Sequence, residues 1–205
     1  MFEFKINQDI ISVNSPCYIV AELSANHAGS LSKLKKLIIN SKKAGANAVK
    51  IQAYEADKIT IDSNNKEFLI NKKNPWKNYK NLYNLYKKAQ TPKKWYKEIF
   101  LFAKKNKITL FASVFDNTTV DYLEILNCPA YKIASAEITD IPLIERVAKT
   151  KKPIIISNGL ANLTDLKLAI KTIKKYNNKI IVLKCTASYP APIDTLNLKM
   201  ISHMK

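Results

Sequence analysis

Short apolar runs alternate along the chain with longer segments in which apolar residues recur every three or four positions. The short runs, such as AVKIQAY, TLFASVF and KPIIISNG, have the length and composition of buried strands. The longer segments, such as SLSKLKKLIINSKKAGA and NLTDLKLAIKTIKKYNN, have the spacing of amphipathic helices. Strands and helices that alternate in this way predict βαβ units and a parallel sheet.

A parallel sheet is either open and doubly wound or closed into a barrel. The chain has only three glycines, and no G-x-G-x-x-G follows its first apolar run, so a dinucleotide-binding sheet is poorly supported. A complete TIM-type (β/α)8 barrel has eight strands, whereas the pattern gives about six βα units over residues 17–205. The sequence therefore predicts an α/β fold, an incomplete TIM-type barrel, with a small hairpin over residues 1–14 that turns at Asn7 and Gln8.

One connection between the predicted elements is much longer than the others. It runs from Glu55 to Gln90 and contains NPWKNYKNLYNLYKKA, an aromatic-rich stretch that predicts a helix. A long connection after a strand is either a lid over a site or an extra helix on the outside, and the sequence leaves both open. The next helix is predicted to begin with Thr91 as its cap and Pro92 in its first turn.

The formal net charge of +18 raises the question of a nucleic-acid partner. Arg146 is the only arginine, although arginine is the usual reader of phosphates and base edges. The lysines lie on the polar faces of several predicted helices rather than in one tract. We therefore expect a lysine-rich solvated surface and no nucleic-acid partner, and a charge that attracts anionic substrates.

The cysteines and the apolar segments indicate the compartment. Cys17, Cys128 and Cys185 are odd in number and widely spaced, which suggests neither a disulfide framework nor a zinc site. No apolar stretch is long enough to span a membrane, and the N-terminus lacks the pattern of a signal peptide. We expect a cytoplasmic protein with no membrane partner.

Polar and charged residues lie near the carboxyl end of every predicted strand. In a TIM-type barrel these ends form one rim, where the chemistry takes place, and residues two apart on a strand share a face. The residues placed there by strand position are Glu22, Lys50, Gln52, Ser113, Lys132, Ser135, Glu137, Ser157, Asn158 and Lys184.

This set of side chains favours an anionic ligand. Each residue alone could be a solvent-facing strand end, but an unpaired buried ammonium costs several kcal/mol, so three lysines near one rim suit a phosphorylated or carboxylated small molecule. Serine hydroxyls can complete a phosphate-binding shell. His27 follows the first strand and could be a general acid, a metal ligand or a satisfied loop histidine, and the residue alone favours the last.

Five stretches resemble, in order and spacing, the barrel of the sialic acid synthase family. They are IVAELSANHAGSL, AGANAVKIQAY, ASVFD, YKIASAEITDIPLIERVAKTKKPIIISNGLA and LKCTASYPAP. The resemblance runs from about Cys17 to Lys205. Within the family, the first and last stretches are more similar to the pseudaminic acid branch than to the N-acetylneuraminate branch.

The resemblance implies a transferase that condenses phosphoenolpyruvate with an open-chain N-acetylated hexose. Phosphate leaves, and the product is a nine-carbon 2-keto sugar acid. For the pseudaminic branch the acceptor would be 2,4-diacetamido-2,4,6-trideoxy-altropyranose. The alternatives are N-acetylneuraminate or legionaminic acid synthesis, or an inactive anion-binding protein. A divalent metal, Mn²⁺ or Mg²⁺, would polarise the aldehyde.

The resemblance also assigns residues to roles. It implies catalytic roles for Glu22 and His27, phosphoenolpyruvate binding by Lys50, Ser113, Lys132, Ser135 and Ser157, and sugar binding by Asn26, Gln52 and Tyr189. The metal-binding histidines of the family lie on the seventh and eighth strands, so they are expected beyond Lys205, and His203 is not one of them.

The chain is expected to be the N-terminal barrel region of such an enzyme. The last barrel strands and an antifreeze-like domain would be absent from it, and the full-length enzyme would be a homodimer. An unclosed barrel exposes two sheet edges, so we expect the isolated chain to be inactive and poorly stable.

Overall fold

The computed structural model describes residues 3–188 and 190–204. In chain order, the strands of the described chain are β1 (Glu3–Ile6), β2 (Asp9–Ser12), β3 (Val20–Glu22), β4 (Ala48–Ala53), β5 (Thr109–Val114), β6 (Tyr131–Ile133), β7 (Ile154–Ser157) and β8 (Ile180–Leu183). The α-helices are α1 (Leu31–Lys43), α2 (Ala56–Ile59), α3 (Leu82–Ala89), α4 (Tyr96–Lys105), α5 (Asn117–Ile125), α6 (Ile141–Ala148), α7 (Leu163–Lys174) and α8 (Met200–His203). Short 3₁₀ turns cover Lys66–Phe68, Lys93–Trp95, Ala136–Thr139 and Ile193–Thr195.

The chain forms two compact units, which are named here by their parallel strands. The β3–β5 unit is Pro16–Leu126, and the β6–β8 unit comprises Met1–Ser15 and Asn127–Lys205.

In the β3–β5 unit, three parallel strands carry helices that bury their apolar stripes. Every residue of β5 is buried, as expected for a strand covered on both faces. Helix α1 buries Leu34 and Ile38, and α4 buries Tyr96, Ile99 and Ala103. The parallel register sets Glu22 opposite Lys50 and Gln52 opposite Ser113. Side chains near the carboxyl ends of adjacent strands are thereby brought together.

Two sequence predictions in this unit are wrong in detail. The helix predicted over NPWKNYKNLYNLYKKA is only Leu82–Ala89, because the Asn81 side chain accepts the Asn84 N–H and caps it there. Helix α4 begins at Tyr96, after a 3₁₀ turn, so Thr91 is not its cap. Thr91 is buried instead, with its hydroxyl 3.4 Å from Nε2 of His27.

The β6–β8 unit contains the N-terminal hairpin and three parallel strands. The predicted hairpin is present in the described residues, as β1 pairs antiparallel with β2 and Asn7 adopts a left-handed φ of 53° in the turn. Strand β7 lies between β6 and β8 and is wholly buried. Helix α6 begins where the Asp140 side chain accepts the Leu143 N–H, with proline early in the helix.

Candidate active site

A carboxylate, an ammonium and a hydroxyl meet at the strand ends of the β3–β5 unit. Lys50 forms an ion pair with Oε2 of Glu22, and its Nζ donates to Oγ of Ser113 at 2.9 Å. Oε1 of Glu22 accepts hydrogen bonds from the backbone N–H and the hydroxyl of Ser24, at 2.9 and 2.8 Å. The Lys50 side chain is 13% exposed and that of Glu22 is 42% exposed. Three residues predicted from strand position are therefore in direct contact.

This trio can stabilise negative charge and move a proton. The Lys50 ammonium is fixed in place by Glu22 and Ser113. The side chain therefore needs little rearrangement to stabilise an oxyanion that develops beside it. The Glu22 carboxylate remains partly open to solvent, which leaves it accessible as a general base or, once protonated, as a general acid.

His27 lies in the loop after β3 and is completely buried. Its Nδ1 accepts the Gly29 N–H at 3.0 Å, its Nε2 lies 3.4 Å from the Thr91 hydroxyl, and its ring packs edge-on against Trp95. Burial, and secondarily the charge of Lys33, lower the pKa of His27, which favours the neutral ring. These contacts hold the loop that follows Glu22, and the catalytic role of His27 stays a prediction.

A cavity of about 480 Å³ lies beside the carboxyl end of β4. The predicted sugar ligand Gln52 lines it, whereas Asn26 is exposed to solvent in the preceding loop. The long connection predicted between Glu55 and Gln90 supplies most of its wall. The two ends of that connection are joined by a hydrogen bond, in which the Ala56 N–H donates to Oε1 of Gln90 at 2.8 Å.

Tyr54 forms an aromatic cluster at this cavity. Its ring packs edge-on against Tyr86, with centroids 6.1 Å apart, and against Phe115, with centroids 5.4 Å apart. Burial, with a smaller contribution from Tyr86, raises the pKa of Tyr54 to about 12, so its phenol stays neutral.

In the β6–β8 unit, Lys132 is a buried ammonium. It is 7% exposed, and its Nζ donates to the carbonyl oxygen of Ile133 at 2.5 Å. Burial lowers its pKa to about 8, and Cys185 and Glu137 partly oppose that change. Among the residues that the structure describes, Lys132 forms no ion pair.

Glu137 lies just past β6, where strand position placed it without a role. Its Oε2 is buried and has no hydrogen-bond partner among the described residues. Burial raises the pKa of Glu137, and the Lys132 charge opposes that rise.

Ser135 and Ser157 lie at the strand ends of the same unit. Oγ of Ser135 accepts the Gly159 N–H at 3.1 Å, and Ser157 is 4% exposed at the end of β7. A Cβ placed on Gly159 would lie 2.8 Å from that Oγ and 3.3 Å from Cβ of Cys185. Position 159 therefore needs glycine for close packing, which nothing in the local sequence reveals.

Two further predicted positions have different outcomes. The ammonium of Lys184 donates to the carbonyl oxygen of Cys185 at 2.8 Å, just past β8. Tyr189 lies outside the described residues, so its sugar-binding role stays a prediction.

The divalent metal that the family resemblance implies stays a prediction, because its histidine ligands are expected beyond Lys205. Across residues 3–188 and 190–204, no three histidine, cysteine, aspartate or glutamate side chains form a group that could hold an ion. Within the same residues, no helix combines the length and apolar character needed to cross a membrane.

Comparison with known proteins identifies the family. The NeuB family model matches residues 37–205. The chain belongs to the NeuB family. This NeuB-family chain is 45% identical over 184 residues to pseudaminic acid synthase of Helicobacter pylori, covering 89% of the chain and 54% of the relative. It is 43% identical over 189 residues to pseudaminic acid synthase of Campylobacter jejuni, which covers 92% of the chain and 54% of the relative.

A solved structure supports the same assignment. N-acetylneuraminic acid synthetase of Leptospira borgpetersenii, in complex with citrate, matches 99% of this NeuB-family chain and 66% of its own, with a TM-score of 0.86 at 30% identity. This match confirms the predicted fold class, an incomplete TIM-type α/β barrel, and the predicted family. The chain spans about half the length of the curated relatives it matches.

Proposed function

We propose that this NeuB-family protein takes part in the condensation of phosphoenolpyruvate with a diacetamido-trideoxyhexose, giving pseudaminic acid and phosphate. Both curated relatives described above are pseudaminic acid synthases. The observation that carries the proposal is Lys132, a nearly buried ammonium that forms no ion pair among the described residues. Such a charge is costly unless an anion binds to it.

The β6–β8 unit offers the groups that bind the donor. Because the Gly159 N–H occupies a lone pair of Oγ of Ser135, the serine's own O–H can donate to a phosphate oxygen. Lys132 supplies the positive charge, and Ser157 supplies a second hydroxyl at the adjacent strand end. We assign the phosphate group of phosphoenolpyruvate to these three side chains, by charge-assisted hydrogen bonds.

The β3–β5 unit offers the groups that act on the acceptor. In the reaction, C3 of phosphoenolpyruvate forms a bond with the aldehyde carbon, and the aldehyde oxygen takes up a proton. Water adds to C2, and the C2–O bond to phosphate breaks. The Lys50 ammonium would stabilise the oxygen as it becomes negative, and Glu22 would handle the proton. The predicted binding of phosphoenolpyruvate by Lys50 and Ser113 stays a prediction.

The proposal includes three expectations from the family resemblance. They are dependence on Mn²⁺ or Mg²⁺, a homodimer, and a cytoplasmic location. The three cysteines are free thiols, in agreement with a reducing compartment.

The test is binding of phosphoenolpyruvate to the 205-residue chain by calorimetry. We expect the wild type and Lys171→Met to bind it, since Lys171 is an exposed lysine of α7, and Lys132→Met to lose binding. Failure of the folded wild type to bind, or equal binding by Lys132→Met, contradicts the proposal.

A second measurement separates turnover from binding. Phosphate release is followed with a version of the protein that spans the full length of its relatives, with Mn²⁺ and, in turn, 2,4-diacetamido-2,4,6-trideoxy-altropyranose, the legionaminic acid precursor and N-acetylmannosamine. The proposal predicts the fastest release with the first sugar. Binding of phosphoenolpyruvate with no release from any sugar supports the anion-binding alternative, and a faster release with another sugar reassigns the acceptor.

A further inference from the structure

The cavity in the β3–β5 unit has an apolar wall that the proposed chemistry does not use. Five large side chains form this wall, namely Tyr54, Trp76, Leu82, Leu85 and Tyr86. Its volume of about 480 Å³ is in the range of small-molecule sites. We call these five side chains the apolar wall.

The apolar wall is incompletely covered by protein. Trp76 is 48% exposed, and Leu69, which also lines the cavity, is 45% exposed. Large apolar side chains that stay exposed around one concavity are typical of a surface that a ligand covers.

The cavity adjoins the residues that would act on the acceptor aldehyde. Gln52 lines the cavity and lies two positions beyond Lys50 on the same face of β4, about 7 Å along the strand. Gln52 is also paired with Ser113 of β5, which contacts Lys50. Ala25, three residues past Glu22, lines the cavity as well.

An acceptor with its aldehyde carbon near Lys50 and Glu22 would therefore direct the opposite end of its carbon chain into the cavity. That end carries C4, C5 and C6. In the diacetamido-trideoxyhexose it bears an acetamido methyl at C4 and a methyl at C6. In N-acetylmannosamine C4 and C6 bear hydroxyl groups instead, which would lose water on reaching an apolar surface.

We propose that the apolar wall determines acceptor specificity by binding the C4 acetamido methyl and the C6 methyl. The inference rests on the proposed function, which supplies the acceptor. The wall gains contact with methyl groups, while hydroxyl groups placed there lose hydrogen bonds. Apolar pockets of this kind discriminate by about 10- to 100-fold, and that is the preference expected over N-acetylmannosamine.

The test measures sugar binding by the 205-residue chain without phosphoenolpyruvate. Calorimetry gives the affinities of 2,4-diacetamido-2,4,6-trideoxy-altropyranose and N-acetylmannosamine. Saturation-transfer NMR shows which ligand protons contact protein. We expect the stronger binding for the first sugar, with the largest saturation transfer at its C4 acetamido and C6 methyl protons.

Variants link the preference to the wall. Leu85→Gln introduces a polar amide into the wall and keeps a good helix former in α3, so the preference should fall to about threefold or less. Leu101→Gln is the matched control, because Leu101 is an exposed leucine of α4, 59% accessible, and the preference should persist. Trp76→Ala is a second test at an exposed position, in case Leu85→Gln unfolds.

Equal affinity of the wild type for the two sugars overturns the inference, as does a preference that both Leu85→Gln and Trp76→Ala retain. A folded chain that binds phosphoenolpyruvate but neither sugar also overturns it, and leaves the proposed function standing. A folded chain that shows the sugar preference but does not bind phosphoenolpyruvate contradicts the proposed function and leaves this inference standing. The two failures are therefore distinguishable.

Discussion

Replacing Lys132 by methionine should stabilise the protein at neutral pH and abolish the proposed binding of phosphoenolpyruvate. Methionine keeps most of the length of the side chain and removes the charge. The pKa of Lys132 falls from 10.5 to about 8 on folding, chiefly through burial. A pKa difference of one corresponds to about 1.4 kcal/mol, so keeping this ammonium charged costs on the order of 3 kcal/mol below pH 8.

The net gain is smaller than that cost. The substitution also removes the hydrogen bond to the carbonyl oxygen of Ile133 and the positive charge near Glu137. We expect a net stabilisation of about 1–3 kcal/mol at pH 7. For a chain of this size, 2 kcal/mol raises Tm by about 4–8 °C.

The gain should depend on pH in a defined direction. Between pH 8 and 10.5 the unfolded chain holds the Lys132 proton and the folded chain releases it, so wild-type stability rises with pH in this range. Lys132→Met lacks this rise. Its advantage should shrink to about 1 kcal/mol or less near pH 10.

The assay is thermal unfolding at pH 7 and pH 10, with Lys171→Met as the control for loss of an exposed positive charge. If Lys132→Met is no more stable than the wild type at pH 7, or keeps the same advantage at pH 10, the burial argument is wrong. Undiminished phosphoenolpyruvate binding by the variant would contradict the role proposed for Lys132.

Two further substitutions test other contacts of the site. Gly159→Ala forces a Cβ to 2.8 Å from Oγ of Ser135 and should cost about 1–3 kcal/mol in urea unfolding, much of which the double variant with Ser135→Ala should recover. No recovery would show that the clash lies elsewhere. The lowered pKa of His27 means that the unfolded chain binds more protons below pH 6.5, so wild-type Tm should fall as the pH drops from 7 to 5. The Tm of His27→Gln should fall less steeply over the same pH range, and an unchanged slope would show that His27 does not cause the fall.

Contacts set by strand geometry could be predicted from the sequence. Alternating apolar and helical segments predicted the parallel strands, and a period of two along each strand selected the residues that share a face. The Glu22–Lys50–Ser113 contacts follow from that period once the strands pair in parallel register.

Contacts between distant segments could not be predicted in this way. Thr91 has the local features of a helix cap, but the structure buries it against His27, and the helix begins later. The glycine requirement at position 159 depends on Ser135 and Cys185, which lie on other segments. The lowered pKa of Lys132 comes from burial, which a single sequence does not display.

The apolar wall also bears on how new acceptors could arise in evolution. Four of its five side chains come from residues 76–86, a contiguous stretch, whereas Glu22, Lys50 and Ser113 lie on three sheet strands. Under the specificity proposed for the apolar wall, exchange of that one stretch by recombination would alter the preferred sugar and leave the charged groups untouched. A new acceptor could then be accommodated by changes within a single insert, while the groups that form the bond stay as they are.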